Sequence, residues 1–343
     1  MHYPNFPDDC NSLVSRFLTP EVFEVLKNKK TSNGFTLEQA IHSGVENVDS
    51  GIGVYAGDQE SYSVFAALFD PIIESYHGFG KEDVHKSNLN SEDLNAPNPD
   101  PEGAYIVSTR IRVGRNVDNL PLGPGISKEQ RDQVESSVVE GLQTLEGELA
   151  GDYYPLLGMS KEVQDNLIKD HFLFKEGDRF LDAAGLNRNW PAGRGIYHNK
   201  EKTFLVWVNE EDQLRIISMQ QGGDIKEVFT RLVNAIKSIE TKVPFAYSDH
   251  LGYITSCPTN LGTAMRASVH IALPNLAKDM KEFKAITEKY HLQIRGIHGE
   301  HSESEGGVYD ISNRRRLGIT EVEAVQDMYD GVVALIAAEK TLS

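Results

Sequence analysis

One cysteine, a family of arginines at two-residue spacing and two acidic stretches carry most of the chemistry this sequence can offer. The stretch Ile254-Thr-Ser-Cys-Pro-Thr-Asn-Leu-Gly-Thr263 places Cys257, one of only two cysteines, in a polar turn. Buried free cysteines usually serve as small apolar side chains. Here the backbone N–H groups and the hydroxyls around Cys257 favour its thiolate, the reactive form of the side chain. The same residues also write a tight turn in which Pro258, Asn260 and Gly262 supply the geometry and Cys257 only fills space. Local composition leaves both readings open.

The arginines follow strand periodicity. Residues two apart share a face of a strand, so Ser108, Arg110 and Arg112 line one side of a first strand, and Arg266, Ser268 and His270 one side of another. Arg215 falls beside Ile217 and Met219, and Arg295 ends the run Leu292 to Gly296. Adjacent guanidinium groups repel unless an anion lies between them, and their forks suit phosphate oxygens. A polyphosphate floor is one reading, and separately solvated or ion-paired arginines are the other. Neither a Walker A pattern nor a dinucleotide-binding glycine pattern is present, and Gly222-Gly223 before Asp224 lacks a phosphate-loop lysine and reads as a strand-to-helix turn. The protein-kinase HRD and DFG motifs are also missing. Phosphoryl chemistry in this chain would therefore rely on arginine clamps and a metal-bound nucleotide.

Three loops complete the candidate chemistry. Glu210-Glu211-Asp212 and the run Gly299-Glu-His-Ser-Glu-Ser-Glu-Gly306 are acidic, which most often means solvated. The segment from Gly296 to Gly307 is glycine-rich and polar, suited to a mobile lid or an exposed connection. In Ser50-Gly-Ile-Gly-Val-Tyr55, Gly51 and Gly53 permit close backbone approach, so that successive N–H groups can hold a carboxylate.

The elements that must position these residues divide the chain. Thr19 with Pro20 opens a helix, Thr36 and Gln39 form a capping-box pattern whose helix Gly44 can end, and Tyr62, Phe65, Ala66 and Phe69 mark a third helix up to a break at Asp70-Pro71. These make a small all-helical unit, residues 1–86, followed by an Asn-, Asp- and Pro-rich linker over residues 87–103. In residues 104–343, strand-like runs occur at Tyr105 to Val113, Phe204 to Asn209, Leu214 to Gln220, Met265 to Leu273, Leu292 to Gly296 and Val308 to Ser312. Amphipathic helices lie between them. Ser127 and Gln130 cap one that carries Val134, Val138, Leu142, Leu145 and Leu149; another carries Val228 to Ile239, and two more run near Asn275 to Tyr290 and Thr320 to Glu339. Without a βαβ rhythm, the expected class is α+β, with a mainly antiparallel sheet flanked by helices in the larger domain.

Composition narrows the function classes. The 343 residues carry a formal net charge of −17, which argues against nucleic acid or an acidic membrane as partner. No leader pattern or spanning run is legible, and Cys10 with Cys257 makes no disulfide framework, so the reading is a reducing cytosol; a monomer is expected.

Five separated blocks add a resemblance that covers nearly the whole chain. Ser108-Thr-Arg-Ile-Arg112, Asn209-Glu-Glu-Asp-Gln-Leu-Arg215, Cys257-Pro-Thr-Asn-Leu-Gly-Thr263, Met265-Arg-Ala-Ser-Val-His270 and Arg295-Gly-Ile-His-Gly-Glu300 resemble, in order, the signature blocks of the phosphagen kinases. Those enzymes move a phosphoryl group between ATP and a guanidino compound. The resemblance implies that Arg110, Arg112, Arg215, Arg266 and Arg295 bind the nucleotide phosphates, with Ser108, His171, Ser268 and His270 at the same site. Thr109, Ile111, Ala267, Val269, Gly296, Ile297, His298, Gly299 and Glu300 fall within the nucleotide-binding blocks. It further implies that Glu211 and Glu300 orient the guanidinium and accept its proton, that the Cys257 thiolate faces it, and that Arg215 and Arg266 act on the transferring group. Magnesium would arrive on ATP or ADP, with no separate metal site. The turn Ser50, Gly51, Ile52, Gly53, Val54 and Tyr55 is similar to that of the arginine-specific members, implying L-arginine as acceptor. Ile297-His298 stands where many of those members have Thr-Arg, so taurocyamine, lombricine, glycocyamine or creatine stays open, as does a non-catalytic nucleotide-binding protein of the same fold.

Overall fold

The computed structural model describes residues 1–297 and 306–343. Its N-terminal unit consists of helices α1 (Leu13–Phe17), α2 (Pro20–Leu26), α3 (Leu37–Glu46), α4 (Ser61–Val64) and α5 (Ala66–His77). Local chemistry starts them where the sequence indicates: the Thr19 hydroxyl accepts from Val22 N ahead of Pro20, and both bonds of the Thr36–Gln39 capping box are present. Two expected stops do not operate. Helix α3 runs through Gly44 to Glu46, because that glycine serves packing: a Cβ there would lie 2.4 Å from the Gly53 carbonyl oxygen and 2.7 Å from Val14 Cγ1. Helix α5 likewise continues through Pro71 to His77, since burial of Ile72 and Ile73 outweighs the missing N–H. The contact at Gly44 seats the turn at residues 50–55, so Gly44→Ala is expected to lower stability by about 1–3 kcal/mol. Chemical denaturation should show a lower midpoint at constant slope, and an unmoved midpoint would mean that the turn yields freely.

The larger domain is organised on an eight-stranded sheet among the described residues. Its strands are β1 (Ile106–Arg115), β2 (Gly151–Pro155), β3 (Gly195–Asn199), β4 (Phe204–Val208), β5 (Leu214–Gln221), β8 (Met265–Ala272), β9 (Leu292–Gly296) and β10 (Val308–Asn313), while β6 (Tyr247–Ser248) and β7 (Gly252–Tyr253) form a separate ribbon. The order is β2-β3-β4-β5-β1-β8-β10-β9, and every pairing is antiparallel. Helices α6 (Lys128–Leu142), α7 (Lys161–Lys169), α8 (Arg179–Ala183), α9 (Ile225–Glu240), α10 (Met280–Lys289) and α11 (Glu321–Leu342) complete the domain. Val228, Phe229 and Leu232 of α9 and Met328 and Val332 of α11 share one core with Ile111, Val113, Ala267, Val269 and Ile311 of the sheet. That leaves the opposite face of the central strands for the polar residues.

Helix α6 stops earlier than its apolar repeat predicts, at Leu142; Leu145 lies beyond it and Leu149 on a short 3-10 turn, both still buried. Strands β2 and β3 escaped the sequence reading because they are short, contain glycine and, in β2, lie mostly exposed at the sheet edge. Residues 87–103 are fastened rather than loose: Ser87 Oγ and Asn88 N donate to buried Glu321, and Asn95 exchanges two bonds with Gln326.

The helical unit and the larger domain meet in a shared core, in which Val54, Tyr62 and Phe65 pack with Ile254, Leu261 and Leu317. Ala56 N donates to Ser256 O at 2.8 Å, Tyr62 Oη to Thr255 O at 2.6 Å, and the His77 ring meets Pro258 O at 2.8 Å. Arg179 of α8 pairs with Asp49 and donates to Asn47 Oδ1 at 3.1 Å. The glycine turn and the cysteine turn, about two hundred residues apart in sequence, are thereby held together. No helix among the described residues is long and apolar enough to cross a membrane.

Candidate functional site

The sheet register assembles the cationic floor. Directly opposed Cα positions are Arg112 with Arg266, Arg110 with Ser268 and Ser108 with His270 on one side of β1. On the other side Arg110 opposes Met219, Arg112 opposes Ile217 and Gly114 opposes Arg215. Asp310 then opposes both His270 and Arg295. Opposed residues share a face, so Arg110, Arg112, Arg215, Arg266, Ser268, His270 and Arg295 converge as the periodicity indicates. Thr109, Ile111, Ala267 and Val269 occupy the other face, buried in the core, with Thr109 Oγ1 donating to Gly222 O. Any contact they make with a ligand on the arginine face is through backbone.

A cleft of about 720 Å³ lies over this floor, walled by the segment from Ile168 to Lys175 and by Arg295, Gly296 and Ile297. His171 reaches that wall from the end of α7, where its φ of 63° turns the chain out of the helix. Burial, and then the charges of Arg215 and Arg266, pulls Arg110 down to about 10; burial followed by four neighbouring arginines, Arg215 foremost, pulls Arg112 well below its ordinary range. These groups remain cations at neutral pH, so their repulsion is relieved by an anion. Arg215 is the exception: burial lowers it, but Glu210, Glu211 and Asp212 outweigh that and raise it. Trp207, opposed to Arg215, lies with its ring centroid 5.2 Å from that guanidinium carbon and 5.9 Å from that of Arg110.

Sequence reasoning missed Asp310. It pairs with Arg266 and meets His270 Nε2 at 3.1 Å, holding two floor residues in place; its signal was an acid at period two on the strand beside β8. Arg266 Nε is buried without a hydrogen-bond partner among the described residues.

The second half of the site is an acidic corner against the cysteine turn. Asn209, at φ 60°, starts a sharp turn and donates to Gly193 O at 2.8 Å. Asp212 Oδ1 accepts from Asn116 Nδ2 at 2.9 Å, Ser256 N at 3.0 Å and Ser256 Oγ at 3.2 Å. This acid, read from sequence only as part of an acidic loop, ties the Glu211 turn to the turn that carries Cys257. Glu211 lies 3.6 Å from Arg215 Nη2 and its side chain is 16% exposed. Burial, followed by the charge of Asp212, raises its carboxyl to about 7.

Cys257 corrects one expectation. The Ser256 hydroxyl turns away to Asp212 and the Glu211 carbonyl, leaving Thr259 Oγ1 as the hydroxyl at Sγ, 3.0 Å away. Burial, with Glu211 adding to it, pushes the thiol up to about 12 against the opposing pull of the Thr259 hydroxyl and backbone N–H. The turn by itself does not favour the thiolate; a cation placed between Cys257 and Glu211 would. Arg316, another side chain the sequence reading missed, is buried behind the turn and bonds Asn260 Oδ1.

Tyr55 and Cys257 belong to one small buried cluster, which brings the glycine turn to this corner. Within the turn, Ser50 N donates to Asn47 O and Tyr55 N to Ala40 O, while the carbonyls of Gly51, Ile52 and Gly53 accept from Leu13, Val14 and Gly44. Among the described residues, the amides of Gly51, Ile52, Gly53 and Val54 have no such bond. His298, Gly299 and Glu300, with most of the glycine-rich segment read as a lid, lie outside the described residues.

Known proteins resemble the chain over both domains. Residues 133–342 match the ATP:guanido phosphotransferase C-terminal catalytic domain, and residues 8–74 the N-terminal domain of the same family. Arginine kinase Lit v 2 of Penaeus vannamei is 58% identical over 336 residues, 97% of this chain and 94% of that protein. An arginine kinase of Artemia franciscana is 57% identical over 334 residues, with the same two coverages. Among solved structures, lombricine kinase superposes with a TM-score of 0.92 at 41% identity, covering 98% of this chain and 95% of that one. The duplicated taurocyamine kinase of Schistosoma mansoni superposes at 0.90 and 44% identity, covering 97% of this chain and 47% of that one. An arginine floor beside a buried carboxylate and thiol, both domain models matched in order, and relatives this similar along almost the entire length place the chain in the ATP:guanido phosphotransferase family, the phosphagen kinases.

Proposed function

We propose that this enzyme reversibly transfers the γ-phosphoryl group of MgATP to L-arginine, giving phosphoarginine and MgADP. The observation that carries the reading is the meeting of two opposite charge environments. A floor of converging arginines borders, through Arg215, a buried corner formed by Glu211 and Cys257. The first suits a polyphosphate and the second a guanidinium. Arginine is favoured as acceptor by the amides of Gly51 and Ile52, which lie outside the core without a backbone partner among the described residues and suit a carboxylate, and by the names of the similar curated proteins.

In this reading Arg110, Arg112, Arg215, Arg266 and Arg295 hold the phosphates, with Ser108, His171, Ser268 and His270 lining the nucleotide cleft. Magnesium enters as part of the nucleotide substrate. A guanidino nitrogen attacks the γ-phosphorus, the bond from phosphorus to the bridging oxygen breaks, and ADP leaves with the electron pair. The proton lost by that nitrogen passes to a carboxylate, Glu211 or Glu300, while Cys257 acts as a negative neighbour once the guanidinium is bound. Alignment of the two substrates and charge stabilisation supply most of the acceleration, as phosphoryl transfer requires. We place the enzyme in the cytosol as a monomer.

A coupled assay with MgATP and arginine, taurocyamine, lombricine, glycocyamine and creatine tests the assignment. Arginine is expected to give the highest kcat/KM. Preference for a sulfonate or phosphodiester acceptor would replace arginine alone, whereas no turnover of any acceptor would replace catalysis by nucleotide binding.

A further inference from the structure

Tyr55, Ala184, Leu186 and Cys257 form one buried cluster, with Ile52 and Leu181 packed against it. Tyr55 and Cys257 already belong to the acceptor corner. Leu186 reaches them from the segment following α8, in none of the signature blocks, and is 3% exposed.

Two restraints hold it there. Its carbonyl accepts from Arg194 Nη2 at 2.7 Å, and Arg194, itself wholly buried, donates from Nε to Asn209 O at 3.3 Å. Asn209 opens the turn that carries Glu211, so one guanidinium ties the leucine and the carboxylate to a common frame. Gly123 gives the second restraint. A Cβ on that glycine would lie 2.3 Å from Leu186 Cδ2 and 3.3 Å from the Glu211 carbonyl oxygen, so leucine and turn flank the same narrow space. A guanidinium held by Glu211 and Cys257 therefore has Leu186 at its side, and the wall cannot retreat without disturbing Arg194 or the loop at Gly123.

We propose that Leu186 is a specificity-determining residue whose side chain closes the acceptor pocket beside Cys257 against guanidino compounds methylated on a terminal nitrogen. The inference rests on the phosphotransferase reading above. A restrained branched side chain leaves a bare guanidinium its room and denies the same room to an added methyl, a difference worth about ten- to two-hundredfold in kcat/KM for one carbon.

The test compares kcat/KM for Nω-methyl-L-arginine and L-arginine at saturating MgATP. Leu186→Ala is expected to raise the ratio of methylated to bare acceptor about tenfold or more, and Leu186→Val to raise it less. Leu186→Met, of similar volume, should leave it nearly unchanged, and the KM for MgATP should stay constant throughout. If the alanine variant fails to fold, the valine and methionine variants decide. An unchanged ratio in a variant that still phosphorylates arginine overturns the proposal, and so does a ratio that rises only together with the KM for MgATP. A parent enzyme that ignores arginine would instead sink the functional reading, and the acceptor it does use, with its N-methyl derivative, then supplies the ratio.

Discussion

Arg266→Lys is expected to lower kcat by about a hundred- to a thousandfold while weakening MgADP binding far less, the magnitude seen when one preorganised donor to a transition state is lost. Arg266 stands opposite Arg112 across the β1–β8 pairing, and Asp310 fixes its guanidinium from one side. Its Nε is buried without a hydrogen-bond partner among the described residues, so part of the fork is left for a ligand. Lysine preserves the charge and removes the fork, and a point charge cannot address two oxygens of a transferring phosphoryl group in a fixed plane. Arg215→Lys should follow the same pattern, with an added loss of acceptor affinity because that guanidinium also lies 3.6 Å from both Glu210 and Glu211. Steady-state rates and ADP titration separate the two quantities. Equal losses in kcat and in ADP affinity would make these residues ground-state anchors, and near-normal turnover would make them bystanders.

For Glu211→Gln, kcat should fall by about a hundred- to ten-thousandfold, the range for loss of a positioned acid or base. The pH dependence supplies the sharper test. Burial and the neighbouring Asp212 raise the Glu211 carboxyl to about 7. Below that pH the group carries a proton and can neither pair with a guanidinium nor accept its proton; above it the carboxylate is available. Because kcat/KM reports groups of the free enzyme, its value for arginine should fall about tenfold per pH unit as pH drops below about 7 in the parent. The acceptor does not titrate in this window, since a guanidinium stays protonated. In the Gln variant the acid limb assigned to Glu211 should vanish. An acid limb that persists unchanged in that variant would assign the titration to another group.

Much of this machinery was legible because it obeys short-range rules. A period of two puts Arg110 with Arg112 and Arg266 with His270 whatever the strands pair with, and the capping pairs Thr36–Gln39 and Ser127–Gln130 specify their helix starts through bonds spanning three residues. Residues whose meaning depends on a distant neighbour were the ones read incompletely or wrongly. Gly44 looked like a helix stop until Gly53 was found against it, and Pro71 like a break until burial of the following turn was seen. Asp310 is one more acid in an acidic chain until it lies between Arg266 and His270.

The sequence by itself determined which residue types face together along each strand and where most helices begin, since these depend on backbone periodicity and on bonds to near neighbours. The tertiary structure alone decided that β8 lies beside β1 to bring Arg266 to Arg110 and Arg112 in one floor, that Asp212 binds the Glu211 turn to Ser256, and that Leu186 shares a buried cluster with Cys257. It also reversed the expectation for the Cys257 thiol. The physical reason is shared: charge, desolvation and packing act through space, so their sign at any residue is set by which other segments the fold brings against it.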